Sequence, residues 1–146
     1  MKKLILAASL LAFGAQAKAA LFINNNTNCT LNVTMFAFDP AHAGCGGLQS
    51  SLITLGPFSS VSYATVATLN TTPPFWLGGT MASTAGGPTT WGWTTAKTFF
   101  TGGGGGSVGL ASCGIPGSVT SVACGSSVTL TWTTLPGSNN ILVEAN

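Results

Sequence analysis

Hydrophobic and polar residues alternate with a period of two along several short segments of this chain. The alternation is clearest in Ser127–Thr134, where Val128, Leu130 and Trp132 point to one side and threonines to the other. Past residue 20, no segment shows a convincing 3.6-residue apolar period of the kind that marks an amphipathic helix. The pattern therefore predicts an all-β protein, in which one face of each strand is buried and the other is solvated.

Gly, Pro, Asn and Ser clusters separate the alternating segments and mark turns. The spacing predicts a single-domain antiparallel β-sandwich of about seven to nine strands. The turn Gly56–Ser59 is expected to join the strands on either side of it into a hairpin. The five glycines Gly102–Gly106 are expected to form a surface loop, because a glycine run weakens a strand interior. The candidate strands are Ala20–Asn24, Thr30–Phe38, Ser51–Leu55, Ser60–Val66, Leu77–Ala82, Thr89–Phe100, Val119–Ala123, Ser127–Thr134 and Asn140–Ala145.

The first 19 residues have the pattern of a cleaved export signal. Two lysines precede an apolar run from Leu4 to Phe13, and small residues follow. Cleavage is expected after Ala17 or Ala19. Cleavage after Ala19 is favoured and leaves residues 20–146 as one β-sandwich domain. The signal resembles bacterial ones, so we expect a secreted or periplasmic protein without a membrane span.

Cleavage changes the charge of the protein. The whole chain has a formal charge of +2, but three of its four lysines lie in the signal. The mature chain keeps Lys97 against Asp39 and Glu144, a formal charge of −1, and contains no arginine. Nucleic-acid binding requires many cationic side chains to neutralise phosphates, so this composition argues against a nucleic-acid partner.

Four cysteines in a small exported domain predict two disulfides and argue against a zinc site, because only one histidine is present. The short loop between Cys113 and Cys124 favours that pair together with Cys29–Cys45. The strand between Cys29 and Cys45 spans roughly 30 Å and opposes their closure. Cys29–Cys124 with Cys45–Cys113 is therefore the alternative.

The ionisable side chains of the mature chain each have a structural explanation. Asp39 precedes Pro40 and fits an N-cap, and Glu144 fits the solvent-facing side of the last strand. His42 lies too close to Asp39 in sequence to orient a distant nucleophile, and it lacks the companions that a metal site needs. We therefore expect no enzyme, no catalytic residues, no metal and no cofactor.

Aromatic residues offer one candidate binding surface. Phe75 and Trp76 follow two prolines, and Trp91 and Trp93 share one face of a strand. Exposed rings surrounded by hydroxyl groups are suited to stack on a neutral sugar, whereas buried rings only pack the core. The exposure of these side chains distinguishes the two interpretations.

The segment from Leu21 to Cys29, together with Leu55–Val61, resembles the first strands of thaumatin-like proteins. The resemblance implies a β-rich, disulfide-linked fold. The dense disulfide framework and the acidic cleft of that family are missing, so no functional residue is transferred.

Low charge leads to the principal functional hypothesis. Sheet edges are normally protected from pairing by lysine, proline or inward charges, and a net charge near zero promotes association. We therefore expect a non-enzymatic surface or matrix component that forms homo-oligomers through strand edges. The alternatives are a small glycan-binding module that uses exposed tryptophan and, less favoured, an enzyme.

Overall fold

The computed structural model describes residues 20–38, 45, 47–77 and 91–146, and it is an all-β sandwich of two packed sheets. The predicted export signal, Asp39 and His42 lie outside the described residues. Within the described residues, two short 3₁₀ segments, Val66–Asn70 and Ala111–Cys113, interrupt the strands. The strands are β1 Leu21–Asn25, β2 Leu31–Phe38, β3 Leu48–Gln49, β4 Ile53–Leu55, β5 Ser59–Tyr63, β6 Gly92–Phe100, β7 Gly105–Gly109, β8 Ser118–Ala123, β9 Ser126–Thr134 and β10 Ile141–Ala145.

The first sheet, sheet A, has the strand order β5-β1-β10-β9-β8. Its first and last strands in the chain, β1 and β10, run parallel to each other, and the other pairs are antiparallel. The parallel pair extends beyond the strands, because the Ile141 amide donates to the Ala20 carbonyl over 2.8 Å. The first and last strands of the described domain therefore lie side by side in the middle of sheet A.

The second sheet, sheet B, has the strand order β3-β2-β6-β7. Strand β4 pairs with the first half of β2, and β3 pairs with its second half. The β2–β6 register shifts between Phe36 and Ala37, where Thr94 is the extra residue of a β-bulge. The segment around Trp76 adds a short bridge beside β3, between Ser50 and Trp76.

The core lies between the sheets and consists of the residues that the alternation placed inward. Leu31, Val33, Met35 and Ala37 alternate along β2 and are completely buried. The inward set of β9, Val128, Leu130 and Trp132, is buried as well. Hydrophobic burial by period-two strands thus accounts for the sandwich.

The glycine run is only partly a loop, so its interpretation as a surface loop was wrong in part. Gly105 and Gly106 are the first two residues of β7 and pair with Phe99 and Thr98 of β6. An added Cβ at Gly104 would overlap the Val122 carbonyl, and one at Gly106 would press on the Val119 side chain. The missing side chains therefore allow the edge of sheet B to lie directly against β8 of sheet A.

The predicted hairpin around Gly56–Ser59 was also wrong. Strand β4 pairs with β2 in sheet B, whereas β5 pairs with β1 in sheet A. The turn therefore crosses from one sheet to the other. It is held there because the Phe58 amide donates to the Thr27 carbonyl, and the Asn25 side-chain amide donates to the Gly56 carbonyl.

The other predicted strands agree with the described strands apart from two differences. Val66 begins a 3₁₀ segment instead of ending a strand, and β3 was not predicted. All but the first residue of the predicted strand Leu77–Ala82 lies outside the described residues, as do Thr89 and Thr90.

Both disulfides differ from the favoured pairing. The structure contains Cys29–Cys124 and Cys45–Cys113, with Cα–Cα distances of 5.8 Å and 5.7 Å. The favoured Cys113–Cys124 and Cys29–Cys45 pairs were therefore wrong, and the alternative was right. The reason is that β8, six residues long, lies between Cys113 and Cys124. An extended strand of that length spans about 20 Å, far more than a disulfide can bridge.

In the part of the chain that the structure describes, no helix is long and apolar enough to cross a membrane. The two disulfides are compatible with an extracellular protein.

Candidate functional site

The structure places the predicted sugar-stacking rings in the core. Trp76, Trp91 and Trp93 are 4%, 7% and 2% exposed. The rings of Trp76 and Trp93 contact each other with centroids 5.8 Å apart and planes tilted by 37°. Trp91 and Trp93 share a face, as predicted, and that face is the inner one.

The polar atoms of these rings are enclosed too. The indole N–H groups of Trp76 and Trp132 are buried and have no hydrogen-bond partner within the described structure. The same holds for the Thr94 hydroxyl at the bulge of β6. A sugar-binding tryptophan keeps its ring face accessible to the ligand, whereas these tryptophans present neither an open face nor an accessible N–H group.

Phe75 is the one predicted binding residue that is exposed, at 46%. It lies beside Ser51, because the Ser51 amide donates to the Phe75 carbonyl over 2.9 Å. Leu77, two residues further, is also exposed. Trp76 points inward between them, so this short segment has an apolar outer side and no tryptophan on it.

The acidic and basic side chains do not meet in a described cluster. Glu144 projects from the outer face of sheet A on β10, half-buried between the buried Val143 and Ala145. Lys97 projects from the outer face of sheet B on β6 and is exposed. Among the described residues no group of three His, Cys, Asp or Glu side chains could hold a metal ion.

The open edge of sheet A is the most distinctive surface feature. At one side of the sandwich, β7 covers β8, and the Gly105 amide donates to the Ser121 hydroxyl over 3.0 Å. At the other side, β5 pairs with β1 alone among the described strands, which leaves its second edge open within that part of the chain. Sheet A therefore has one covered edge and one open edge.

The open edge strand has none of the usual protections against pairing. Strand β5 has the sequence Ser-Ser-Val-Ser-Tyr, without lysine, proline or an acidic residue. Its last residue, Tyr63, is buried, and burial raises the pKa of its phenol above the ordinary value. The strand therefore carries no charge at neutral pH or under mildly alkaline conditions.

Sequence reasoning predicted that unprotected edges exist but missed which strand carries the open one. The predicted hairpin paired β5 with β4 instead of β1. That pairing gave no indication that the other edge of β5 is the open edge of sheet A. The available signal was composition, because β5 is the predicted strand with the most serines and no charge.

Comparison of the chain with protein-family models, curated proteins and solved structures finds no match.

Proposed function

We propose that the mature protein is an exported, non-enzymatic structural component that associates with copies of itself. The observation that carries this proposal is the open, uncharged edge of β5. Unpaired backbone N–H and C=O groups on such an edge form hydrogen bonds with another strand, and charge is the main obstacle that most proteins place there.

The low charge of the surface supports the same proposal. Lys97 and Glu144 are the only ionisable Lys, Arg, Asp, Glu or His side chains among the described residues. Charge repulsion that keeps soluble proteins apart at high concentration is therefore weak. The export signal in residues 1–19 and the two disulfides support an extracytoplasmic location in bacteria.

The edge contact has a defined symmetry. Sheet A offers β5 as its open edge while β8 is covered, so two copies pair β5 with β5. Such a contact uses the same surface on both partners and closes after two copies. The first product of association is therefore a dimer with a continuous ten-stranded sheet.

Lysine placed on the inner side of β5 should block this dimer. Val61 is half-buried and points inward, so Val61→Lys puts an ammonium group where edge pairing would bury it opposite its symmetry mate. Inward lysines on edge strands prevent pairing in this way. We expect at least about a tenfold weaker dimer, measured by sedimentation equilibrium.

The control is Val122→Lys on β8, an exposed valine on the opposite edge strand of the same sheet. Because β7 already covers β8, this variant should dimerise like the wild type if it is folded by circular dichroism. Equal dimerisation of Val61→Lys and the wild type, with both folded, would contradict the edge contact.

Glycan binding stays an alternative prediction. Of its four residues only Phe75 is exposed, so a ligand there would meet a single phenyl ring.

A further inference from the structure

The two charged side chains of the described domain lie on opposite outer faces of the sandwich. Glu144 is on β10, the central strand of sheet A, with two strands on either side. Lys97 is on β6, an interior strand of sheet B. Neither forms an ion pair within the described residues. Among the described residues each face therefore carries one charge, and the two charges have opposite signs.

The cross-strand neighbours of both charges are neutral and mostly carry hydroxyl groups, whereas the next outward residues along the two strands, Leu142 and Phe99, are apolar. Across sheet A, Glu144 lies in a row with Asn24 and Ser60 on one side and Thr131 and Ser118 on the other. Side chains directly opposite each other on neighbouring strands share a face, so this whole row points outward. The row contains no second charge and no large apolar side chain.

Sheet B repeats this arrangement with the opposite sign. Lys97 lies between Thr34 of β2 and Ser107 of β7. Thr34 and Ser107 have short side chains, so the longer Lys97 side chain extends beyond both of them into solvent. An approaching face with a carboxylate at its centre and hydroxyls around it would match this surface in charge and in hydrogen-bonding character.

We infer that sheet A of one copy stacks on sheet B of the next copy, with Glu144 of the first facing Lys97 of the second. This inference rests on the proposed self-association and adds to it. The occupant of each face is a second copy of this chain, because the chain itself supplies the complementary charge.

The stacked contact explains how assembly continues past a dimer. The β5 edge contact joins identical surfaces and closes at two copies, so it cannot extend by itself. The face contact joins two different surfaces, and a contact of this kind repeats without closing unless its rotation forms a ring. Dimers joined through their faces therefore grow into a stack.

The area of sheet A sets the size of such a contact. Its five strands are five to nine residues long and about 4.8 Å apart, which gives the face roughly 500 Å² in plan. A standard protein interface buries about 800 Å² per partner, and side-chain relief adds to the plan area. In such a contact, water would have little access to the central ion pair between Glu144 and Lys97. Removing a buried ion pair weakens association more than removing an exposed one.

Charge reversal tests the pairing directly, in the mature, oxidised protein. Lys97→Glu gives two acidic faces and Glu144→Lys gives two basic faces, so each variant alone should stop at the dimer. We expect the concentration at which larger assemblies form, measured by light scattering, to rise at least about tenfold for each. Both positions face solvent, so both variants should keep the wild-type circular dichroism spectrum.

Complementation makes the test specific. An equimolar mixture of the two variants places acidic faces on basic ones throughout an alternating stack, so it should assemble at a concentration close to that of the wild type. The double variant Lys97→Glu/Glu144→Lys should assemble by itself as well. If the single variants lose the larger assemblies and neither the mixture nor the double variant restores them, the pairing of Glu144 with Lys97 is overturned.

Other outcomes separate the two proposals. If the wild type forms large assemblies and both single variants do too, face stacking is overturned and self-association stands. If the wild type stops at a dimer, face stacking is overturned and the edge contact stands. If the wild type stays monomeric, both are overturned.

Discussion

Replacing Cys29 and Cys124 together with alanine should lower the free energy of unfolding by about 4 kcal/mol. This disulfide joins the β1–β2 connection to the β8–β9 turn and closes a loop with a sequence separation of 95. Opening a loop of that size restores much conformational freedom to the unfolded chain. Half-buried Cys29 and Cys124 also pack against the core, and alanine removes part of that contact. Denaturant unfolding under non-reducing conditions measures the loss.

The same variant tests the connectivity. Because Cys45 and Cys113 are bonded to each other, the double variant should show no free thiol after unfolding without reductant. Under the rival Cys29–Cys45 and Cys113–Cys124 pairing, the variant would leave two unpaired thiols. Two reactive thiols per chain, or a loss of stability below about 1 kcal/mol, would contradict the structure.

Asn25→Asp should destabilise the fold by at least about 3 kcal/mol, although it changes only one side-chain nitrogen to oxygen. Asn25 is completely buried. Its amide donates to the carbonyls of Cys29 and Gly56, each over 2.8 Å. Aspartate replaces these donors with an oxygen that faces both carbonyls, and its buried charge has only the hydrogen bonds that the Thr27 amide and hydroxyl donate to the other oxygen. Thermal and denaturant unfolding measure the effect.

Asn28→Asp is the matched control for this change. Asn28 lies in the same connection but is exposed, so its new carboxylate stays hydrated and should change stability by less than about 0.5 kcal/mol. Similar losses in the two variants would show that Asn25 does not hold the β4–β5 crossing to the end of β1.

Alternation along single strands was the part of the fold that the sequence predicted well. The inner face of β2, the inner face of β9 and the shared face of Trp91 and Trp93 all follow from period two. Each of these patterns is local, because a strand's two faces are decided by its own residues. Burial of one face then requires a second sheet, which is why the sandwich itself was predictable.

The pairing of strands was less predictable, because it depends on contacts between distant segments. The Gly56–Ser59 turn fits a hairpin locally, yet bonds from Asn25 and Thr27 direct it across the sandwich. The disulfide pairing failed for the same reason, since loop length says nothing about an intervening extended strand. The glycine strand β7 depends on the close approach of β8, which only the folded structure shows.

The candidate site was predicted only in outline. Composition indicated a protein with little charge and unprotected edges, and this led to the self-association hypothesis. It could not indicate that β8 is covered and β5 is open, or that Lys97 and Glu144 lie on opposite faces. The burial of Trp76 could not be predicted from the sequence either, because it depends on tertiary structure. The backbone bridge between Trp76 and Ser50 places the Trp76 ring in the core.

The central claim is that the mature protein associates with itself, and the concentration dependence of its mass tests this most directly. Size-exclusion chromatography with light scattering on residues 20–146, with both disulfides intact, should be carried out over increasing concentration. We expect the average mass to rise through a dimer to larger species, with stacks visible by electron microscopy. A mass that stays at one chain throughout, with no assemblies visible at the highest concentration, would contradict the account.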